Sequence, residues 1–144
     1  MRVADIFRTK STDVLTVYPE NTIAQVARVM ADYRIGLIVA CTEGGRVVGV
    51  LSERDIVRAV ADYGAQVPEL LVDQVLTRDP ITCTMEDDPK DVLRIMNEKG
   101  FRHMPVVEHG TLKGLLSIKD VLKFMLEEAT YQEKSSVWEQ IDFI

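Results

Sequence analysis

Apolar positions along the chain fall into two matching series. Ile23, Val26, Ala27 and Met30 recur at the spacing of one helical face. Thr22 with Gln25 supplies a capping box in front of them. Pro89, Val92, Leu93 and Met96 repeat the same face behind Asp88 as N-cap, with Pro89 at the favoured first helical position. A second pair of segments agrees: Gly49-Val50-Leu51-Ser52-Glu53-Arg54-Asp55 lines up with Gly114-Leu115-Leu116-Ser117-Ile118-Lys119-Asp120. The first pair lies 66 residues apart and the second 65. The one-residue difference fits the turns, where Glu43-Gly44-Gly45-Arg46 is roomier than Glu108-His109-Gly110-Thr111.

The chain is therefore an internal duplication, and each copy reads as β-α-β-β-α. A short helical opening (Val3 to Phe7; Leu71 to Leu76) leads to a strand at Leu15 to Val17 or Ile81 to Cys83. The capped helix follows, then strands at Gly36 to Cys41 or His103 to Val107, and at Arg46 to Leu51 or Leu112 to Leu116. A second helix starts at Ser52 or Ser117. We expect an α/β fold of the α+β type: repeat 1 over 1–62, a linker over 63–70, repeat 2 over 71–126, and a helical arm over 127–144. Units near 60 residues are marginal alone, so the two sheets are expected to pack together.

Composition narrows the function. Of 144 residues 47% are apolar, enough for a core. Seventeen basic against 23 acidic residues give a net charge of −6, which argues against a nucleic-acid polymer or an anionic membrane as partner. Cys41 and Cys83 stand alone in apolar stretches and read as buried free thiols. With His103 and His109 the only histidines and no zinc-type spacing, no metal site is expected. No apolar run approaches membrane-span length and Met1 to Lys10 is no signal peptide, so a cytoplasmic protein is expected.

Catalysis finds no constellation. Ser52 and Ser117 lack a Gly-x-Ser-x-Gly elbow, and the glycines at 44, 45 and 49 read as a hairpin turn, not a phosphate loop. We expect no catalytic residues and no enzyme. Binding is better supported, because both copies end a strand at Gly-apolar-apolar-Ser with Asp three residues later. That is a capping box, and a helix N-terminus there also offers free N–H groups. A carboxylate beside it would repel phosphate, yet it can accept two hydrogen bonds from a ribose diol. Phosphate would then lie near cations: Arg102 and His103 at the entry to a strand, or Arg54, Arg58, Lys119 and Lys123 on the helices. The helix cations equally suit a solvated face, and His103 a structural role.

In this order and repetition the residues resemble the tandem cystathionine-β-synthase (CBS) domain family, the paired regulatory unit known as a Bateman module. The carriers are the two Gly-to-Asp segments above and Arg102-His103-Met104-Pro105-Val106, and the resemblance spans roughly 3–125. It implies a pseudo-two-fold pair of repeats with two clefts between them. It further implies an adenosine ligand there (AMP, ADP or ATP, with S-adenosylmethionine or NAD(H) as other members' ligands) and no required cofactor. Ser52 with Asp55, and Ser117 with Asp120, would hold ribose; Thr16 and Thr82 would approach adenine; Arg102 and His103, ahead of Pro105, would reach phosphate. Arg54 and Lys119 flank those helix starts. Where the second copy has Arg102-His103-Met104-Pro105, the first reads Ile35-Gly36-Leu37-Ile38, with Arg34 just before. The second copy's site is thus the expected phosphate site.

The function expected is a stand-alone regulatory module for signal transduction, sensing an adenine nucleotide and acting through conformation or assembly. The resemblance implies a homodimer of paired repeats, and any regulated target would be a separate protein. The competing reading is a ligand-free homo-oligomeric interaction protein, motivated by the helical stripe Val137, Trp138, Ile141 and Ile144 in the arm.

Overall fold

A computed structural model describes residues 1–129 of the chain. The arm's stripe at Val137, Trp138, Ile141 and Ile144 lies outside the described residues. The elements run α1 (Val3–Ile6), β1 (Thr16–Val17), α2 (Ile23–Tyr33), β2 (Leu37–Cys41), β3 (Val47–Ser52) and α3 (Glu53–Tyr63). After a 3-10 segment at Gly64–Glu69 come α4 (Val72–Val75), β4 (Thr77–Arg78), α5 (Pro89–Lys99), β5 (His103–Glu108), β6 (Thr111–Ser117) and α6 (Ile118–Glu128). The fold is mixed α/β, and the order helix, strand, strand, helix (α2 to α3, α5 to α6) recurs in both halves.

Local chemistry sets the helix starts. Thr22 accepts the Gln25 N–H at 3.2 Å and its own N–H donates to the Gln25 side chain at 2.9 Å, as the capping box requires. At α5 the Asp88 carboxylate accepts the Lys90 N–H at 2.9 Å. Arg34 and Gly100 end α2 and α5 in the left-handed region.

Two compact units emerge, and they are not the sequence repeats. One, here the Ser52 unit, holds residues 14–80 with 109–112; the other, the Ser117 unit, holds 1–13, 81–108 and, as far as described, 113–129. In the Ser52 unit the sheet order is β1-β2-β3-β4, with β1 parallel to β2 and the other pairs antiparallel. Its core includes Ile23, Val26, Met30, Ile38, Leu51 and Val72. In the Ser117 unit β5 pairs with β6, and Val3, Ile6, Leu93, Met96, Met104, Leu116 and Val121 are buried together. Each such large side chain contributes about 1.5–3 kcal/mol by leaving water. The opening helix α1 thus belongs with the second half, while α4 and β4 belong with the first.

Three details differ from the sequence reading. The strand expected at Ile81 to Cys83 shrinks to one parallel bridge between Cys83 and Val106. In the first half the matching ladder also includes Thr16 with Val39; in the second Val39 is replaced by Pro105, which has no N–H to donate. The expected linker is structured: α3 runs to Tyr63, and Val67 of the 3-10 segment is buried in the Ser52 unit, so one apolar residue anchors a polar stretch. Gly49 lies within β3, not in a turn. The hairpin turns themselves follow expectation: His109 and Gly110 both take positive φ in a two-residue turn, while the first hairpin is one residue longer and ends on Gly45 at φ 83°.

Burial pushes the Cys83 thiol up to about 12, with Asp87 and Glu108 adding to it, and burial raises Cys41 too. Both are free thiols. Since only the thiolate reacts, iodoacetamide at pH 8 is expected to label neither in the native chain and both in denaturant; a mass shift within minutes under native conditions would contradict this.

Candidate functional site

The strand-to-helix corners carry the polar chemistry. At the second, the Asp120 N–H donates to Ser117 Oγ at 3.1 Å and the Ser117 N–H to Asp120 Oδ2 at 2.9 Å. The Lys10 ammonium reaches the same Oδ2 at 2.9 Å. Oδ1 of Asp120 makes no hydrogen bond among the described residues, and the side chain is 27% exposed. Partial burial works against the charged carboxyl, but the Ser117 N–H, the Lys10 ammonium and the Ser117 hydroxyl outweigh it and hold Asp120 below its ordinary value.

Arg102 enters the corner through its backbone, its carbonyl accepting the Ile118 N–H at 2.8 Å, and its side chain is exposed. Half-buried His103 follows it at the start of β5. Burial lowers the imidazole below its ordinary value; Asp120 opposes this, while Lys10 and Arg102 add to it. Asp120, Lys10 and Arg102 all lie within electrostatic reach of His103. The Ser117 unit thus assembles one carboxylate, one hydroxyl and three nitrogen bases or cations.

The first corner has the same capping geometry and a different surround. Ser52 and Asp55 exchange bonds of 3.0 and 3.1 Å. The Thr77 hydroxyl then donates to Asp55 at 3.1 Å from Oδ1 and 3.3 Å from Oδ2, and the Arg58 guanidinium stands 3.5 Å from Oδ1. The Asp55 side chain is only 7% exposed. This carboxylate is consumed internally, whereas beyond its bond to Ser117 the Asp120 carboxylate meets only Lys10 among the described residues, at the solvent edge.

Backbone bonds also correct the register between the halves. The Glu53 N–H donates to Gly36 O at 2.9 Å where the Ile118 N–H donates to Arg102 O, so Arg102 corresponds to Gly36, not to Ile35. The bridges Val17 with Ala40 and Cys83 with Val106 give the same offset. A Cβ on Gly36 would sit 3.3–3.4 Å from the Glu53 carboxylate. In the first half the Glu53 carboxylate thus lies beside the backbone position that Arg102 takes in the second.

Of the remaining candidates, Thr16 and Thr82 are exposed, as are Arg54 and Lys119 on the first turns of α3 and α6. Pro105 is buried within β5. Ile38 belongs to the core of the Ser52 unit, and Arg34 is the exposed cap of α2 with no ion pair among the described residues. Ser52 joins Asp55, and Ser117 joins Asp120. Lys10, Thr77 and Glu53 were not singled out from sequence: nothing local to a polar segment reveals which distant carboxylate it meets. Among the described residues no group of three His, Cys, Asp or Glu could hold a metal ion, and no helix is long and apolar enough to cross a membrane.

The family model described as the CBS domain matches the chain twice, over residues 3–62 and 72–127. The chain belongs to the CBS domain family. It is 36% identical over 123 residues to an uncharacterized 17.7 kDa protein of Acidianus ambivalens, covering 85% of this chain and 73% of that one. The crystal structure of a CBS-domain containing protein from Agrobacterium tumefaciens is 36% identical, covers 85% of this chain and 91% of its own, and superposes with a TM-score of 0.77. Two structures at lower identity share the fold. A CBS-family protein in complex with AMP is 22% identical, with TM-score 0.74 and coverage of 88% and 96%. A CBS domain pair in complex with 5-methylthioadenosine and S-adenosyl-L-methionine is 21% identical, with TM-score 0.74 and coverage of 90% and 98%. The chain is thus a pair of CBS domains.

Proposed function

We propose that the protein is a regulatory module that binds an adenine nucleotide at the Ser117–Asp120 corner and signals by conformation or assembly. One observation carries the reading: a partly exposed carboxylate with an oxygen unbonded among the described residues, 2.9 Å from Lys10 and at the corner that Arg102 joins through its carbonyl, with His103 next to it. The carboxylate suits a ribose diol, and the basic groups suit a phosphate beyond it. Thr82, Pro105 and Lys119 border the same segments. AMP in one CBS-fold structure, and S-adenosyl-L-methionine with 5-methylthioadenosine in another, support an adenosine ligand class. The Ser52 corner, with Thr16, Arg34, Ile38 and Arg54 in the same unit, is the poorer phosphate site because Asp55 is enclosed and the Glu53 carboxylate lies beside Gly36, the position equivalent to Arg102.

A thermal-shift panel of AMP, ADP, ATP, S-adenosylmethionine and NADH tests this. Ligand at 100 times its dissociation constant stabilises by about 2.7 kcal/mol, or roughly 5–11 °C for a chain of this size. AMP, ADP or ATP is expected to give that shift and Asp120→Ala to remove it; no shift with any adenosine compound would sink the reading.

A ligand-free interaction role is favoured by a different observation. Val57, Val60 and Tyr63 form an outer stripe on α3 at 68, 52 and 53% exposure, apolar surface suited to a second copy of the chain. Sizing the panel samples with and without nucleotide separates the two: a homodimer whose size and melting point ignore every nucleotide would favour the interaction role.

A further inference from the structure

We propose that Lys10 is the residue by which the Ser117–Asp120 site discriminates phosphorylated from unphosphorylated adenosine ligands, an inference that rests on the adenine-nucleotide reading above. Its ammonium sits 2.9 Å from Asp120 Oδ2, the oxygen that also accepts the Ser117 N–H. Lys10 and Asp120 are 32% and 27% exposed, so the pair stands at the solvent edge, where ion pairs are weakly held and exchange readily.

The segment carrying Lys10 is lightly tethered. The backbone bonds at Arg8 and Thr9 run only to Asp5 and Ile6 at 3.4 Å, and Asp13 bonds only the Ser11 hydroxyl. Among the described residues, the Lys10 side chain makes the only hydrogen bond or ion pair linking residues 8–13 to α6. A flexible four-carbon stem on such a segment can swing the charge by several ångströms.

A ribose diol docking on Asp120 donates two hydrogen bonds to the carboxylate and so competes with Lys10 for Oδ2. With adenosine, the displaced ammonium gains no new anion, and the exchange disfavours binding. With AMP, the phosphate offers that anion beside Arg102 and His103, and the ammonium moves from one acceptor to another. Lys10 therefore penalises the neutral nucleoside and rewards the nucleotide. The other half differs: the enclosed Asp55 accepts the neutral Thr77 hydroxyl at 3.1 Å, and its cation, Arg58, comes from α3 itself and stands 3.5 Å from Oδ1.

The test is isothermal titration of AMP and of adenosine into the full chain as wild type, Lys10→Met and Lys10→Arg, at low and high salt. Lys10→Met keeps the stem and removes the charge. It is expected to weaken AMP about tenfold, the size of one lost charge-assisted bond, while adenosine binds as well as or better than to wild type. Lys10→Arg should retain the preference for AMP, and the salt dependence of AMP binding should fall only in Lys10→Met. A purely structural Lys10 would weaken both ligands alike, and that result, or an unchanged AMP-to-adenosine ratio in Lys10→Met, overturns the proposal while the nucleotide reading stands. If wild type binds neither compound, the nucleotide reading fails and takes this proposal with it.

Discussion

Gly49→Ala is expected to cost about 3 kcal/mol, the upper range for forcing extra atoms into a packed site, and to lower the melting temperature by roughly 6–12 °C. A Cβ at this position would lie 2.3 Å from the Thr77 carbonyl oxygen and 2.7 Å from Leu76 Cδ1. The nearer obstacle is backbone, so no rotamer relieves it. Gly49 faces Arg78 in the β3–β4 register, and displacing β4 also moves Thr77, whose hydroxyl holds Asp55. Gly114 has the same role in the Ser117 unit, where an added Cβ would meet the Phe7 ring at 2.7–2.8 Å. There the obstacle is a side chain, so Phe7→Leu should restore part of the stability of Gly114→Ala, whereas Leu76→Ala should not rescue Gly49→Ala. Chemical denaturation of the four variants decides it; a Gly49→Ala midpoint matching wild type would show that β4 yields freely.

Asp55→Ala is expected to destabilise by about 3 kcal/mol, as for removal of an N-terminal cap together with a buried charged acceptor. The carboxylate accepts the Ser52 N–H and the Thr77 hydroxyl, and lies within 3.5 Å of Arg58. Its loss leaves the first two donors without an acceptor. Asp120→Ala removes a comparable cap but a surface ion pair, and should cost nearer 1 kcal/mol. Ligand response is expected to run the other way, with nucleotide stabilisation surviving in Asp55→Ala and vanishing in Asp120→Ala. Melting curves with and without nucleotide read both quantities at once. Equal stability losses in the two variants would contradict the difference in enclosure.

Much of this architecture was legible in the sequence because its signals are local. Thr22 with Gln25, Asp88 with Pro89, and the paired Ser and Asp residues each mark a helix start through bonds spanning two or three positions. The duplication itself follows from two such segments recurring at nearly one interval. What stayed hidden depends on tertiary contact. Lys10 and Thr77 sit in short polar stretches whose partners lie 110 and 22 residues away. Gly49 reads as part of a turn because its reason for lacking a side chain is the passage of β4 beside it. The sequence pattern pairs Arg102 with Ile35, one residue away from Gly36, since sequence alone does not show which carbonyl receives the first N–H of the following helix. Ser117, Asp120, Arg102 and His103, singled out in the sequence, gather at one corner, while in the first half Asp55 is enclosed by bonds to Ser52 and Thr77.

The trade of opening segments has a consequence for heredity. Residues 1–13 were copied with the first repeat but serve the second, and residues 71–80 were copied with the second but serve the first. A change at Lys10 or Phe7 is therefore answered at Asp120 or Gly114, across the seam of the duplication, and a change at Thr77 or Leu76 at Asp55 or Gly49. Neither repeat can drift alone, and a chain cut at the seam would part each acid from its companion.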